Sequence, residues 1–405
     1  METRTAIEVL ENKWWIGLVA LGVSLVATPI FRFIAYRAKI VDRPDQLLKP
    51  HGRPVAYLGG LAMCVGYLGG LIALATIFPV GELWQQIKSS LSGMKLGQLV
   101  HNPLWNMLGI AVSSVLIAFI GLLDDLWELK PAHKVFGQVL AAGVLIVGGI
   151  GYRMMVVLLT IGSLPAPPPW LLVPLSSLVC VVMVIATCNA TNLLDGLDGL
   201  CGGVTGIISL GFLALAVFLA MWPKAQIAGI DELRVGLSLA MAGAVIGFLP
   251  YNVPPASIFM GDAGSMLLGF YVATMVAMFC QEGTARWFIG AWVVFALPTL
   301  DTGLAVVRRL LAGKSIFAGD RSHLYDQLVD RGMSVKQVVF LFYVLAALSA
   351  VLGVVASIYL RLRHAVILYA ALLAIVCVVF YKLGMVNPPP HEPAAGDADK
   401  PGREG

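Results

Sequence analysis

The sequence predicts an all-α polytopic membrane protein with about 10 or 11 transmembrane helices and with its polar motifs in cytoplasmic loops. Of its 405 residues, 59% are hydrophobic and only 12% are charged. A soluble domain carries roughly a quarter charged residues, so water could not solvate this chain's surface, and the lipid bilayer is the expected solvent. The net charge of +4 is small and indicates no nucleic-acid partner.

Long apolar runs define the predicted spans. Runs of about 18 to 25 apolar residues can cross the hydrocarbon core as helices. We find eleven, centred near residues 24, 66, 112, 143, 180, 210, 242, 273, 297, 349 and 374. The first is followed by ten equally apolar runs, so it is a retained span and not a signal peptide. A further stretch at 154–164 could form a hairpin or a re-entrant segment.

The spans divide the chain into one membrane-embedded domain, residues 1–385, and a C-terminal tail. Residues 386–405 are rich in proline and polar groups, and we expect this tail to be disordered.

Basic residues predict the orientation. The segments 32–53 and 308–336 carry six Lys or Arg each, and the positive-inside rule places both in the cytoplasm. This topology puts five loops on the cytoplasmic face of the membrane: 35–54, 124–134, 189–198, 251–263 and 307–337. Nearly every polar motif of the chain lies in these loops, so we expect the active site there.

Carboxylates end the third and fifth spans. Asp124 and Asp125 are adjacent, with Lys134 beyond them, and two such carboxylates repel each other unless a cation holds them. A solvated helix end is the alternative. The fifth span ends in four oxygen-bearing side chains spaced three apart, namely Asn189, Asn192, Asp195 and Asp198. If the segment is helical, they line one face and suit Mg²⁺; otherwise they form a polar turn.

A glycine-rich loop follows the seventh span. Gly261 and Gly264 flank Asp262 and allow close backbone approach, and Ser265 can cap the next helix. The start of that helix also presents backbone N–H groups to an anion. A plain Gly-Asp turn is the alternative.

Two further cytoplasmic segments add charged groups. Asp301 lies in an apolar stretch, where an ionisable group is either functional or paired with a neighbouring Arg. The segment after it contains groups typical of diphosphate recognition, namely Arg308, Arg309, Arg321 and His323. The first cytoplasmic loop adds Lys49 and His51, for which ordinary positive-inside charge is the alternative.

Taken in order, these segments resemble the polyprenyl-phosphate N-acetylhexosamine-1-phosphate transferases of glycosyltransferase family 4. This superfamily includes the phospho-MurNAc-pentapeptide translocase and the transferases that prime O-antigen and teichoic acid synthesis. The matching motifs are Asp42-x-Pro…Lys49-x-His51, Asp124-Asp125, Asn189-x-x-Asn192-x-x-Asp195-Gly-x-Asp198-Gly, Phe259-x-Gly-Asp262-x-Gly-Ser and Asp320-Arg-x-His323. Glu128 replaces a translocase Lys, and Tyr325 and Asp326 replace further histidines, which favours the branch that primes surface glycans.

The resemblance implies transfer of a sugar-1-phosphate, in particular N-acetylhexosamine-1-phosphate, from a UDP-sugar to polyprenyl (undecaprenyl) phosphate, with release of UMP. It implies Mg²⁺, or Mn²⁺, bound by Asp262 and Asn192. Asp124 and Asp125 would act on the acceptor phosphate and Asp195 and Asp198 at the nucleotide-sugar end, with His323 also in the reaction. The substrate-binding residues would be Lys49, His51, Lys134, Asn189, Arg308, Arg309 and Arg321. A homodimer is left open.

Two other classes fit less well. A transporter or channel would place its carboxylates near the bilayer midplane, on broken helices in repeated halves. A prenyltransferase would need two Asp-rich motifs, and a CDP-alcohol phosphatidyltransferase would need further Gly and Asp positions after Asp198. The sequence therefore favours the transferase but leaves open the sugar, the polyprenol length and whether a covalent intermediate forms.

Overall fold

The computed structural model describes residues 4–42, 54–79, 81, 96–222, 227, 229–280, 285–313 and 323–386. In these residues nearly all regular structure is helical, apart from one two-stranded antiparallel hairpin. The elements are α1 (Ala6–Leu10), α2 (Trp14–Ala38), β1 (Val41–Asp42), β2 (Val55–Ala56), α3 (Gly59–Ala75), α4 (Pro103–Trp127), α5 (Pro131–Val147), α6 (Met154–Ile161), α7 (Pro169–Leu194), α8 (Leu200–Met221), α9 (Ile230–Asn252), α10 (Gly261–Phe279), α11 (Ala285–Val294), α12 (Ala296–Leu311), α13 (Leu324–Asp330), α14 (Val335–Tyr359) and α15 (Leu362–Lys382).

The all-α polytopic class is confirmed. Each of the eleven predicted span centres lies inside a helix or, near 297, in a bent helix pair. In the described part of the chain, eight helices are long and apolar enough to cross a membrane, and the bent pair α11–α12 is a ninth if its two helices form one span. The other two centres lie in α3 and α5, which are apolar but only 17 residues long. The ambiguous stretch near 154–164 forms the short helix α6.

The ninth predicted span is a broken helix. The axes of α11 and α12 differ by 71°, with the break at Phe295. Pro298 explains it, because its ring would clash with the carbonyl of Val294 four residues earlier and it has no N–H to donate there. The helix therefore ends at Val294 and restarts as α12, which packs against α7 and α14.

The helix that carries Asp262 lies at the centre of the bundle. In α10, 94% of the most apolar 18-residue window is buried, whereas in α15 the value is 6%. The helix α10 packs against α3, α4 and α7. An apolar helix with few protein neighbours is stable where lipid covers it, so α15 lies at the periphery.

Backbone hydrogen bonds join the β-hairpin to the segment before α10. Phe259 N donates to Ala56 O at 2.8 Å, and Gly59 N donates to Phe259 O at 2.9 Å. Gly60 N donates to Met260 O at 2.9 Å. These bonds fix the start of α3 against the start of α10, and so they fix the backbone that carries Asp262.

Candidate active site

Four helix ends meet around Asp262. Its Oδ1 accepts a hydrogen bond from Asn192 Nδ2 at the end of α7, at 2.7 Å. Its Oδ2 accepts from Lys134 Nζ in the first turn of α5, at 2.8 Å. Lys134 Nζ also pairs with Asp124 Oδ2 at the end of α4. We call Asp124, Lys134 and Asp262 the acidic–lysine cluster: one ammonium held between carboxylates of two different helices.

Asp124 also shapes the turn that leads to Lys134. Its Oδ1 accepts from Leu129 N at 2.8 Å, and Glu128, with a φ of 48°, ends α4 in the left-handed conformation. Asp124 is buried, and both of its oxygens have partners. The carboxylate therefore holds the α4–α5 turn in the form that places Lys134 beside Asp262.

Asp125 caps the helix that carries Asp262. Its Oδ1 accepts from Asp262 N at 2.7 Å and its Oδ2 from Ala263 N at 3.1 Å. The expectation that Ser265 caps this helix is wrong, because α10 begins at Gly261 and Ser265 lies in its second turn. Ser265 Oγ instead accepts from Asn192 Nδ2 at 3.0 Å. The anion expected at this helix start is thus the chain's own Asp125 carboxylate.

Two glycines make this capping possible. Gly261 has a φ of +66°, and a Cβ there would lie 2.6 Å from Asp125 Oδ2. A Cβ on Gly121, one turn before Asp125, would lie 2.5 Å from the backbone of Asp262 and Ala263. Any larger residue at either position would separate α4 from the start of α10.

The motif from Asn189 to Asp198 does not form one helical face. The helix α7 ends at Leu194, so Asp195 and Asp198 lie in the turn before α8. Asp198 Oδ2 accepts from Ala256 N at 2.8 Å. Asn252 adds a second link by accepting from Gly199 N at 3.1 Å. Asp198 therefore ties this turn to the loop before α10.

Asp195 differs from the other carboxylates of the site. Among the residues that the structure describes, no donor pairs with its carboxyl group. Burial, and then the charges of Asp262, Asp125 and Asp198, raise the pKa of Asp195 well above its usual range. A carboxyl group that faces other carboxylates without a donor can bind a cation or exchange a proton.

Asp301 contacts His323, a histidine and not the neighbouring arginine that was the alternative from the sequence. His323 Nδ1 lies 2.9 Å from Asp301 Oδ2, and Leu324 N donates to Asp301 Oδ1 at 2.6 Å. Tyr325 stacks on the imidazole with ring centroids 5.5 Å apart and donates its hydroxyl to Leu193 O at 2.9 Å. These contacts bring α12 and α13 to the turn that carries Asp195.

Tyr57 is a site residue that the sequence analysis missed. It lies between β2 and α3, with its ring edge-on to Phe259 at 6.1 Å. Burial and the charges of nearby carboxylates, Asp125 first among them, raise the pKa of Tyr57. In the sequence, Tyr57 is only an aromatic residue at the edge of an apolar run, and nothing near it in the chain indicates that it lies beside the carboxylates of the site.

The remaining predicted residues contact other parts of the chain or lie outside the described residues. Asn189 Nδ2 donates to Ile185 O at 2.7 Å and to Gln138 Oε1 at 3.3 Å, on the side of α5. Arg308 and Arg309 are buried, and Arg308 Nη1 donates to Met385 O at 3.1 Å, just after α15. Three predicted substrate-binding residues lie outside the described residues, as does the tail from 387: Lys49, His51 and Arg321.

Comparison with known proteins identifies the family. The model of glycosyl transferase family 4 matches residues 107–280, from α4 to the end of α10. The decaprenyl-phosphate N-acetylglucosaminephosphotransferase of Mycobacterium tuberculosis is 32% identical over 365 residues, which are 86% of this chain and 83% of the relative. This chain belongs to glycosyl transferase family 4. The resemblance to the polyprenyl-phosphate N-acetylhexosamine-1-phosphate transferases is confirmed.

Other relatives distinguish the branches of family 4. The probable undecaprenyl-phosphate N-acetylglucosaminyl 1-phosphate transferase of Bacillus subtilis is 27% identical and covers 91% of this chain and 92% of the relative. The phospho-N-acetylmuramoyl-pentapeptide-transferase of Staphylococcus aureus is 36% identical but covers only 41% of this chain and 47% of the relative. The two near-full-length relatives named here thus carry N-acetylglucosamine transferase names, in agreement with the departures at Glu128 and Tyr325.

The donor set of this family 4 site fits a magnesium ion. In the described part of the chain, no group of three or more His, Cys, Asp or Glu side chains could hold a metal alone. Asp262 and Asn192 nevertheless each carry a hard oxygen donor, and Asn192 Nδ2 donates to Asp262 Oδ1, with Asp195 nearby. Mg²⁺ typically uses one or two carboxylates and completes its shell with water and substrate phosphates.

Proposed function

We propose that this chain transfers N-acetylglucosamine-1-phosphate from UDP-N-acetylglucosamine to a polyprenyl phosphate and so primes a surface glycan. The relatives from Mycobacterium and Bacillus, which match more than four fifths of this chain, carry N-acetylglucosamine phosphotransferase names. The acidic–lysine cluster is the observation that carries the proposal. A partly buried arrangement of carboxylates and one ammonium at converging helix ends suits the handling of phosphates and their counterions.

The reaction needs charge neutralisation more than proton removal. The second pKa of a phosphomonoester is about 6, so the acceptor phosphate is largely a dianion at pH 7. One of its oxygens attacks the phosphorus that bears the sugar, and a new P–O bond forms. The bond from that phosphorus to the bridging oxygen breaks, and UMP leaves with the electron pair. Lys134, which pairs with Asp124 and Asp262, would supply positive charge to the reacting phosphates.

Asp262 and Asn192 would hold Mg²⁺, or Mn²⁺ in its place. When bound, the cation would offset the charge of the diphosphate and of the leaving UMP. Asn192 bridges Asp262 and Ser265 and so keeps the Asp262 carboxylate in a fixed direction. We assign Asp195 to the nucleotide-sugar end of the site, because its carboxyl has no donor among the described residues.

The partners of Asp124 and Asp125 support direct attack by the acceptor phosphate. A covalent mechanism needs a carboxylate oxygen that is free to attack phosphorus. Each oxygen of Asp125 accepts from a backbone N–H, and those of Asp124 are held by Leu129 N and Lys134. We therefore assign both residues to positioning.

The test combines purified protein, polyprenyl phosphate, Mg²⁺ and a panel of UDP-sugars, with UMP release as the readout. We expect UDP-N-acetylglucosamine to be the preferred donor and Asp262→Asn to lower kcat by on the order of 10³-fold without loss of folding. Asp330→Asn, the same change at an exposed site on α13, is the control. Near-normal activity of Asp262→Asn would contradict the metal assignment, and lipid-free exchange of labelled UMP into the UDP-sugar would contradict direct attack.

Orientation and assembly are proposed on sequence grounds. The two loops with six basic residues each support a cytoplasmic active site in a bacterial inner membrane, where UDP-sugars are available. A homodimer stays a prediction. It would be tested by the mass of the protein in detergent.

A further inference from the structure

Asp301 and His323 form a buried pair that the mechanism above does not use. Asp301 is 1% exposed and His323 is 3% exposed. Asp301 lies in α12, just beyond the bend at Phe295, and His323 immediately precedes α13. Burying an ionisable pair beside membrane-embedded helices costs free energy, so the pair is expected to have a structural or functional role.

The two oxygens of Asp301 have different partners. Oδ1 accepts from Leu324 N at 2.6 Å, which fixes the backbone next to His323. Oδ2 lies 2.9 Å from His323 Nδ1. A carboxylate at this distance favours a proton on Nδ1 and leaves Nε2 as the ring nitrogen that can meet a substrate. One carboxyl group can therefore fix the position of the ring and also select its tautomer.

Stacked rings connect His323 to the turn that contains Asp195. The planes of His323 and Tyr325 differ by only 7°, and the Tyr325 hydroxyl donates to Leu193 O. Tyr325 also packs against Gly196, where a Cβ would lie 2.2 Å from its hydroxyl oxygen. The imidazole is therefore one ring layer from the turn that carries Asp195.

We propose that Asp301 is a positioning residue, which holds His323 with Nδ1 protonated and Nε2 available to the phosphates of the nucleotide sugar. That the nucleotide sugar is the substrate rests on the proposed function. The tautomer does not, because it follows from the contact between Asp301 and His323 alone. If Asp301 were only structural, it would join α12 to α13 through its bond with Leu324 N and would affect the reaction only through folding.

Asp301→Asn separates these two roles. The amide oxygen can still accept from Leu324 N, so the hydrogen bond that joins α12 to α13 is retained. Its NH₂ group would face Nδ1 and donate to it, which moves the ring proton to Nε2. The variant therefore reverses the tautomer at nearly constant shape.

The first measurement is the tautomer of His323 by ¹⁵N NMR of histidine-labelled full-length protein in detergent. The signal is assigned with His323→Gln and recorded at a pH where the ring carries one proton. We expect Nδ1–H in the wild type and Nε2–H in Asp301→Asn, with Asp330→Asn as the wild-type-like control. An Nε2–H signal in the wild type would overturn the proposal, and this result does not require the variant to fold.

The second measurement is a double-mutant cycle on UMP release. We expect Asp301→Asn to lower kcat by on the order of 10- to 100-fold, with a smaller change in KM. In the His323→Gln background the same substitution should cost less than about 3-fold, because its effect passes through the ring. Equal losses in both backgrounds would refute a role through His323. If no UDP-sugar gave UMP, the proposed function would fail while the tautomer result would still stand.

Discussion

Replacement of Gly121 by alanine tests whether the contact between α4 and α10 sets the reactivity of Asp262. The new Cβ would lie 2.5 Å from Ala263 N and Cα and from the carbonyl carbon of Asp262. Ordinary contact begins at 3.4 Å, and these are backbone atoms that cannot rotate away. The two helices must therefore separate locally by roughly 0.9 Å. A close-packed interior has no empty space that could take up a shift of this size.

This separation predicts the size of the effect. If it lies along the bonds from Asp125, the distances to Asp262 N and Ala263 N grow from 2.7 and 3.1 Å to roughly 3.6 and 4.0 Å. Neither is then a hydrogen bond. Asp262 also moves relative to Lys134, which is paired with Asp124 on α4. A misplacement of about 1 Å at a reacting centre can cost on the order of 100-fold in rate, and we expect kcat to fall by that factor.

The assay is UMP release by purified protein, together with a melting curve in the same detergent. Gly143→Ala is the matched control, because it adds the same methyl group to the apolar helix α5, where no heavy atom lies within 4 Å of the new Cβ. We expect the control to retain wild-type activity. Activity of Gly121→Ala within about 3-fold of wild type would refute the reasoning, as would an equal loss in the control.

Two further predictions concern the charge of Asp195 and the orientation of the chain. The raised pKa of Asp195 means that the folded protein binds this proton more tightly than the unfolded chain, so stability falls as pH rises from about 4 through the folded-state pKa. Asp195→Asn should therefore melt higher than wild type, by a margin that widens from pH 5 to pH 8; a variant that is less stable at pH 8 would contradict this. In a Cys377→Ala background, Lys130→Cys should be shielded from an impermeant thiol reagent on intact cells and Ser163→Cys should react. The reverse pattern would place the active site outside.

The positions of the apolar helices could be predicted because hydropathy is a local property. A run of about 20 apolar residues must cross the membrane whatever its neighbours are, and all eleven predicted centres lie in helices or in the bent pair. The break near 297 also has a local cause in Pro298, although the sequence analysis did not use it. The family was likewise readable, since its motifs are short and keep their order along the chain.

The role of each carboxylate was decided only by tertiary structure. Asp124 and Asp125 are neighbours in sequence, yet one holds Lys134 and the other caps α10. Asp125 and Asp262 are 137 residues apart, so no window of the sequence contains both. Asp301 could have paired with an arginine but contacts His323. A carboxylate accepts from whichever donor packing brings within about 3 Å, and that distance is set by how the helices pack and not by the residues beside it in the chain.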